Sequence, residues 1–462
     1  MLRSLWPASQ MRGILAYGKD VSVTGTAKPR PPLPVGPYLV VGLARSGQAA
    51  ARTLAAQGEQ VVGVDAASPD GAAELAELGV EVELDADGVD LAERAACVVK
   101  SPGVPRDAPV IAAALERGTD VIGELELAWR LLPNRFVGVT GTNGKTTVTE
   151  LLGHVWRTAG QPVAVAGNVG TPLASLVGEV GEDATVVCEC SSFQLEDADA
   201  FAPECAVLLN IAPDHLDRHR DLDEYAAAKL RIFVRQVPGD WAIFDSSEPG
   251  LEGRRIGGRA RLVDLADAPI DGFDDAFEGS ALIGPHNARN VRAAAAVALA
   301  MGIDRDALAE GLRSFGGLPH RLERVAEIGD VTYVNDSKAT NVAAAAAALR
   351  SFEGGVRAIL GGSLKGGGFD ELGEAVAERC AACYLIGPAA DALERDLATA
   401  WEAGVERRRC DDLAAAVAAA AADAQPGDVV LLAPACASFD AYRDFEQRGE
   451  HFRALVAAIA DG

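Results

Sequence analysis

The sequence predicts an α/β protein of three domains, each built on a mostly parallel sheet flanked by helices. Three observations carry this. Short apolar runs alternate along the chain with alanine-rich, helix-forming stretches, which is the pattern of βα units. Glycine-rich or polar segments stand directly after many of those runs, where open sheets bind their ligands. At 462 residues the chain is too long for a single core.

Residues 1–36 contain five basic residues and end in Lys28-Pro-Arg-Pro-Pro-Leu-Pro34, so they read as a disordered extension. Residues 37–124 form a first domain. A strand at 38–42 runs into the turn Gly42-Leu-Ala-Arg-Ser-Gly47 and an alanine-rich helix, a strand at 60–64 ends at Asp65, and one at 97–100 stops at Ser101-Pro-Gly103. This is a nucleotide-binding βαβ opening, but Ala44 occupies the middle glycine position of a dinucleotide fingerprint, which argues against NAD.

Residues 125–317 form a second domain, with strands at 135–140, 163–166, 185–189, 206–209 and 241–244. The first leads into the loop Gly138–Thr147 (GVTGTNGKTT) and a helix with Val148, Leu151, Leu152, Val155 and Trp156 on one face. Residues 318–462 form the third, with strands at 331–335, 356–360, 383–386 and 428–432. Ala343–Leu349 and Ala414–Ala422 fall where crossover helices belong, and alanine is the best helix former.

Lys and Arg number 42 against 67 Asp and Glu, a net charge of −25, which argues against nucleic acid or an anionic membrane as a partner. Residues 2–17 lack the apolar core of a signal peptide and no run of about 18 apolar residues occurs, so a cytoplasmic protein is expected. Among eight scattered cysteines the single CxxC, Cys380 to Cys383, reads as two thiols on a helix leading into a strand rather than a metal or redox site.

The loop at 138–147 is the strongest chemical signal. Its glycines let backbone N–H groups face phosphate oxygens, Lys145 neutralises phosphate charge and Thr146 can hold Mg²⁺. The usual glycine five positions before Gly144 is Val139, with glycines at 138 and 141 instead. Glu189 closes the strand TVVCE, where a second Mg²⁺-ordering carboxylate belongs. His215 lies between Asp214 and Asp217 in a donor-rich segment past the next strand, and is favoured as a ligand over a structural histidine. Lys229 alone reads as a surface lysine, and Asn168 as a turn residue. In the third domain Asn335-Asp-Ser-Lys-Ala-Thr-Asn341, Gly361-Gly-Ser-Leu-Lys365 and Pro434-Ala-Cys-Ala-Ser-Phe439 follow three strands and define one cleft on one sheet.

Together CSSFQLE (190–196), PDHLDRH (213–219), LPHRLE (318–323), NDSKATN (335–341) and PACASFDAYRDFEQRGEHF (434–452) resemble the Mur ligase family, ATP-dependent amide-bond ligases of peptidoglycan precursor synthesis. The resemblance runs from about residue 38 to the end and points to the D-glutamate-adding branch. The Asn-Pro-Arg signature of the diaminopimelate- or lysine-adding relatives is absent, and Asn143 stands where alanine-adding relatives have histidine. It implies a Rossmann-like N-terminal domain, a central P-loop ATPase domain and a Rossmann-like C-terminal domain. ATP would lie on Gly141, Thr142, Asn143, Gly144, Lys145, Thr146 and Thr147, with Asn287, Asn290, Arg321 and Asp336. Two Mg²⁺ would be held by Thr146, Glu189, His215 and a carbamylated Lys229, since a cationic lysine cannot ligate Mg²⁺. Lys145, Glu189, His215, Lys229 and Arg321 form the implied catalytic set.

The resemblance places UDP-N-acetylmuramoyl-L-alanine on Arg45, Ser46, Asp65, Ser101, Gly103 and Asn168, and D-glutamate on Lys338, Thr340, Lys365, Ser438 and Phe445. Ala66-Ala67 departs from relatives that often place polar and basic residues there. The implied reaction is ordered: the substrate carboxylate attacks the γ-phosphate of ATP, and glutamate's amine then displaces phosphate from the acyl phosphate. A monomer whose domains close is expected. A sister ligase adding L-glutamate or another amino acid, an NAD-dependent oxidoreductase and a non-catalytic scaffold are the competing readings.

Overall fold

The computed structural model describes residues 27–215, 218–266, 282, 284–364 and 368–461. The chain divides into two compact units, Met1–Phe273 with Asn290–Leu312, and Asp274–Arg289 with Arg313–Gly462. The first carries two sheets and the second carries one.

The first sheet has the order β3-β2-β1-β4-β5, formed by β1 (Tyr38–Val41), β2 (Val61–Val64), β3 (Glu81–Glu83), β4 (Cys97–Lys100) and β5 (Asp120–Gly123), all parallel. Its central strands β1 and β4 are wholly buried, as apolar runs covered on both faces must be. Helix α1 (Arg45–Ala56) buries Ala50, Ala51 and Leu54 against Tyr38, Val40, Cys97 and Val99, while α2 (Pro109–Glu116) packs Val110, Ile111 and Ala114 on the other face with Leu39 and Val98. The strand order reverses at the β1/β4 boundary, so the turns after these two strands lie together where such sheets bind ligands. Helix α3 (Glu124–Leu131) then leads to the second sheet.

That sheet has the order β11-β10-β9-β6-β8-β7, from β6 (Arg135–Thr140), β7 (Val163–Gly167), β8 (Thr185–Glu189), β9 (Cys205–Leu208), β10 (Trp241–Phe244) and β11 (Arg261–Asp264), again all parallel. Helices α4 (Lys145–Thr158), α5 (Ser192–Glu196) and α6 (Leu222–Val234) follow β6, β8 and β9. The second unit's sheet has the order β12-β13-β17-β14-β15-β16, from β12 (Glu323–Ile328), β13 (Val331–Asn335), β14 (Val356–Gly361), β15 (Cys380–Ile386), β16 (Glu406–Arg409) and β17 (Val429–Leu432). Among the described residues, only the β12–β13 pair of this sheet's strands is antiparallel.

The expected strands form within a few residues of their expected bounds, and five strands were not expected: β3, β5, β11, β12 and β16. All five are sheet edges. Their sequences, such as EVE and ERRR, carry charge because an edge faces water on one side, so they lack the apolar run that marks a central strand. The CxxC reading is corrected too. Cys380 opens β15 rather than ending a helix, and the register shifts between it and Ala382.

Residues 28–36, expected as part of a disordered extension, lie against the first unit. Lys28 pairs with Asp240 at 2.6 Å. The Arg30 guanidinium sits 4.4 Å over the Trp129 ring, donates to the Asn134 carbonyl at 2.6 Å and meets Glu204 at 3.4 Å. Arg130 donates to the Pro32 carbonyl at 2.6 Å and the Tyr38 hydroxyl to the Pro34 carbonyl. Prolines stiffen this strap, and the two cations fix it by stacking and charge that composition alone does not reveal. Asn134 also ends the link between the two sheets, so the strap braces that link.

Glu124 starts α3 fully buried. Its Oε1 accepts from the Ala174 amide at 2.7 Å, while Oε2 has no partner. Burial pushes this carboxyl up to about 7. A folded-state value above the unfolded one means stability is complete at acid pH and is lost as pH rises through about 7. Glu124→Gln, which keeps the acceptor and stays neutral, is therefore expected to gain about 3 kcal/mol over wild type at pH 8 and little at pH 4.5, measured by urea unfolding. Arg30→Ala is expected to lower stability by about 2–3 kcal/mol in the same assay, by unclasping the strap and leaving Glu204 uncompensated.

Candidate functional site

The site begins at the end of β6. Gly141 and Gly144 have φ of +156° and +85°, and Gly144 caps α4 in the left-handed region with no side-chain cap. A Cβ on Gly144 would stand 2.3 Å from Asn290 Oδ1, and the left-handed φ itself favours glycine at this position. The start of α4 at Lys145, Thr146 and Thr147 directs first-turn N–H groups and the positive end of the helix dipole at one point, the physical basis of phosphate binding.

Gly138 has a different duty from the one its place in the motif suggests. It lies within β6, and a Cβ there would be 3.0 Å from Ile232 Cδ1 and 3.2 Å from Pro203 Cγ. The missing side chain lets α6 approach the sheet. Lys229, three residues before Ile232 and on the same face, is buried to 1% exposure, and its Nζ donates to the Gly141 carbonyl at 2.8 Å. The surface-lysine reading of Lys229 is thus overturned. Lys145 Nζ donates to the same carbonyl at 2.9 Å and to that of Thr142 at 2.9 Å. Burial, with the Lys145 charge adding to it, holds the Lys229 amine well below the ordinary lysine range.

Thr142 and Asn143 are placed in the loop, but their amides serve the loop itself. The Thr142 N–H donates to the Asn210 carbonyl at 3.0 Å and the Asn143 N–H to Asn210 Oδ1 at 2.9 Å, while Asn210 Nδ2 returns to the Asn143 carbonyl at 3.1 Å. Thr142 Oγ1 accepts from the Ala212 amide at 3.0 Å and meets the Tyr225 hydroxyl at 3.2 Å. Asn210 is the lock.

Glu189 ends β8 at 3% exposure. Asn168 donates from Nδ2 to Glu189 Oε1 at 3.0 Å and from its amide to the Glu189 carbonyl at 2.9 Å, so the expected turn residue is tied to the expected carboxylate. His215 adopts φ +53° and is half-exposed, its Nε2 3.8 Å from Asp214 Oδ2 and its ring edge-on to Phe193 at 5.0 Å. His219, four residues past His215, is buried, with Nε2 3.0 Å from Ser192 Oγ and its ring stacked on Phe193. Its place in PDHLDRH was visible, but its burial was not. Among the described residues no three His, Cys, Asp or Glu side chains gather as a metal cage. Of the residues that the resemblance assigns to Mg²⁺, Thr146 and Glu189 carry the oxygen donors that ion takes, alongside phosphate and water.

On the first sheet Asp65 accepts from the Leu43 amide at 2.6 Å and the Ala67 amide at 2.9 Å, and Ser101 Oγ donates to the Gly42 carbonyl at 2.7 Å. These two side chains shape the turn that carries exposed Arg45 and half-buried Ser46. Gly103 lies on the adjoining turn, exposed.

In the second unit the ends of β13, β17 and β14 are neighbours, as one cleft requires. Within NDSKATN, however, half the polar groups are structural. Asn335 is fully buried and binds His320 Nδ1 at 2.9 Å and the Gly449 carbonyl at 3.2 Å, Ser337 Oγ donates to the Phe445 carbonyl at 2.8 Å, and Asn341 caps the helix Val342–Leu349. Lys338 stands 3.6 Å over the Phe445 ring, and both it and Thr340 are half-buried. Ser438 is 2% exposed. Lys365 lies outside the described residues. Burial pushes Asp336 up to about 7 against the opposing pull of Arg321, and His286, beside Arg321 and Arg289, is pulled down to about 4, chiefly by burial. Asn287 is buried one residue on. Sequence reasoning missed Arg448. Its guanidinium donates to Ser337 Oγ and to the carbonyls of Ser337, Cys436 and Ala437 at 2.9–3.2 Å, joining two of the three strand-end loops.

Three family models tile the chain: a MurD-like N-terminal domain of Mur ligases over residues 37–123, the Mur ligase middle domain over 139–259 and the Mur ligase glutamate ligase domain over 320–436. A UDP-N-acetylmuramoylalanine–D-glutamate ligase of Pelotomaculum thermopropionicum is 40% identical over 92% of this chain and 98% of its own length. The chain belongs to the Mur ligase family. The Salinibacter ruber protein of the same name is 42% identical over 91% of this chain and 97% of its own. The fold is likewise that of solved Mur ligases: a UDP-N-acetylmuramate–alanine ligase of Thermotoga maritima superposes with a TM-score of 0.53 at 17% identity, over 92% of this chain and all of that one. A bifunctional folylpolyglutamate and dihydrofolate synthase of Yersinia pestis gives 0.53 at 19% identity, over 73% and 92%. Among the described residues no helix is long and apolar enough to cross a membrane.

Mur ligases are ATP-dependent, which sets the test for the Asn210 lock. Asn210→Ala removes two hydrogen bonds to the phosphate loop and is expected to raise KM for ATP roughly tenfold in steady-state assays, with the urea midpoint little changed.

Proposed function

We propose that this Mur ligase joins D-glutamate to UDP-N-acetylmuramoyl-L-alanine at the expense of ATP, as a cytoplasmic monomer in peptidoglycan precursor synthesis. The observation that carries the chemistry is the pair of lysines on the Gly141 carbonyl, close to the Glu189 carboxylate, at the head of a helix built to receive phosphate. The D-glutamate assignment draws support from the relatives of that name, which match nearly end to end.

In this reading Lys145 turns from the loop carbonyls to the γ-phosphate, and Thr146 and Glu189 would hold one Mg²⁺. Lys229, whose amine burial holds low, would take up CO₂ as a carbamate, an N–C bond forming and a proton leaving, and with His215 would hold a second. Bound Mg²⁺ supplies charge that lets a carboxylate approach a triphosphate. Asn290 and Asn287 serve the nucleotide, with Arg321 at the phosphate and Asp336 at the ribose. Arg45 and Ser46, on a turn framed by Asp65 and Ser101, and Gly103 on the adjoining turn receive the UDP substrate, with Asn168 beside Glu189 on the second sheet.

The terminal carboxylate of that substrate attacks the γ-phosphorus, ADP leaves, and an acyl phosphate forms. Lys338, Thr340, Ser438, Phe445 and Lys365 hold the two carboxylates of glutamate, for which cationic donors are suited. Its amine attacks the acyl carbon, loses a proton and expels phosphate. Oriented donors aimed at the charge that develops account for the acceleration.

The deciding assay is ATP-dependent phosphate release with UDP-N-acetylmuramoyl-L-alanine and each glutamate enantiomer. Turnover is expected with D-glutamate alone, and equal turnover with the L form would overturn the assignment. Lys145→Ala should lower the rate at least about 10²-fold while circular dichroism stays native.

A further inference from the structure

Arg218 has no part in the chemistry described above, yet it touches both halves of the first unit. It sits on the loop after β9, three residues past His215. Its guanidinium donates to three backbone carbonyls of the turn that follows β4: Val104 at 2.9 Å, Gly103 at 3.3 Å and Pro102 at 3.5 Å. The same group lies 4.6 Å over the Phe193 ring, and Phe193 meets the rings of His215 and His219 at 5.0 and 5.5 Å. One continuous path of contact therefore runs from the turn of the first sheet, through Arg218 and Phe193, to the histidine loop of the second.

A second tie joins the same parts. Lys100, the last residue of β4, pairs with Asp197 just after α5 at 2.7 Å, with side chains 1% and 3% exposed, and also donates to the Val104 carbonyl at 2.9 Å. The Asp197 carbonyl accepts from the Gly123 amide at 3.0 Å. The Val104 carbonyl thus accepts from two cations. Lys100 is a fixed post in the core, whereas Arg218 reaches in from the histidine loop.

We propose that Arg218 is a positioning residue that fixes the turn Ser101–Val104 against the His215 loop and so sets the reach of the sugar-nucleotide's carboxylate to the phosphate loop. The inference rests on reading that turn as the seat of the UDP substrate. A substrate anchored on one sheet and attacked on another needs the spacing between them held to a fraction of an ångström, and a misplacement of about 1 Å costs on the order of 10²-fold in rate. The choice of arginine fits the duty. A planar fork can serve three carbonyls while stacking on an aromatic ring, and an ammonium cannot do both. The ATP side is held independently by Asn210 and Thr142, so loss of Arg218 leaves the nucleotide's seat in place.

The test uses the full chain with Arg218→Met, which keeps the stem but not the fork, and Arg218→Lys, which keeps the charge. Wild type is first shown to release phosphate with UDP-N-acetylmuramoyl-L-alanine and D-glutamate. The Met variant is expected to lose on the order of 10²-fold in kcat/KM for the UDP substrate, with KM for ATP and the urea midpoint unchanged and the Lys variant intermediate. Wild-type kinetics in the Met or the Lys variant would overturn the inference while leaving the proposed function standing. So would a parallel rise in KM for all three substrates, the mark of general loosening. A wild-type enzyme silent with this substrate would overturn the functional reading and the inference with it.

Discussion

Two lysines share one acceptor, the carbonyl oxygen of Gly141, and much of the first unit follows from that. A buried ammonium beside another cation is unfavourable, so Lys229 is driven toward its neutral form. Helix α6 lies on β6 with Ile232 against residue 138, where a Cβ would be a tight fit. To keep the loop from collapsing under two donors, Asn210 and Thr142 tie it down from the β9 side. The glycine out of its usual place in the motif is therefore a packing residue. It belongs to the lysine's story more than to the phosphate's.

The central strands and the phosphate loop were legible because each is written in local pattern: apolar runs, then glycine, lysine and threonine ahead of an amphipathic helix. The edges were not. A strand such as Glu406–Arg409 exists through the backbone bonds it makes to Cys380–Ile386, and its side chains answer to water instead of a core. Charge at such edges also discourages pairing with other chains, which is a reason for selection to write them in a script that pattern reading skips.

The site was legible in its loops and illegible in its supports. NDSKATN and PDHLDRH announce chemistry, but nothing in them says that Asn335 and Ser337 turn inward while Lys338 stays at the cleft. Arg218 and Arg448 show why. Each gathers backbone carbonyls, and carbonyls are the same in every residue, so no motif records which ones an arginine will meet. Lys229 read without the resemblance is a surface lysine for a related reason. Its burial comes from the packing of α6 on β6, which no local pattern records.

The strap at residues 28–36 carries a practical consequence. The N-terminal family model begins at residue 37, so a boundary drawn from family likeness would remove Lys28 and Arg30 while keeping what they cover. Trp129 and Phe136 would lose the guanidinium that lies over them, and Asp240 and Glu204 would keep charges whose partners had been cut away. In a chain this acidic, such a fragment would meet solvent with a greasy patch ringed by unbalanced carboxylates. Residues outside the N-terminal family model are thus packed onto the parts of the chain that lie within the family's fold.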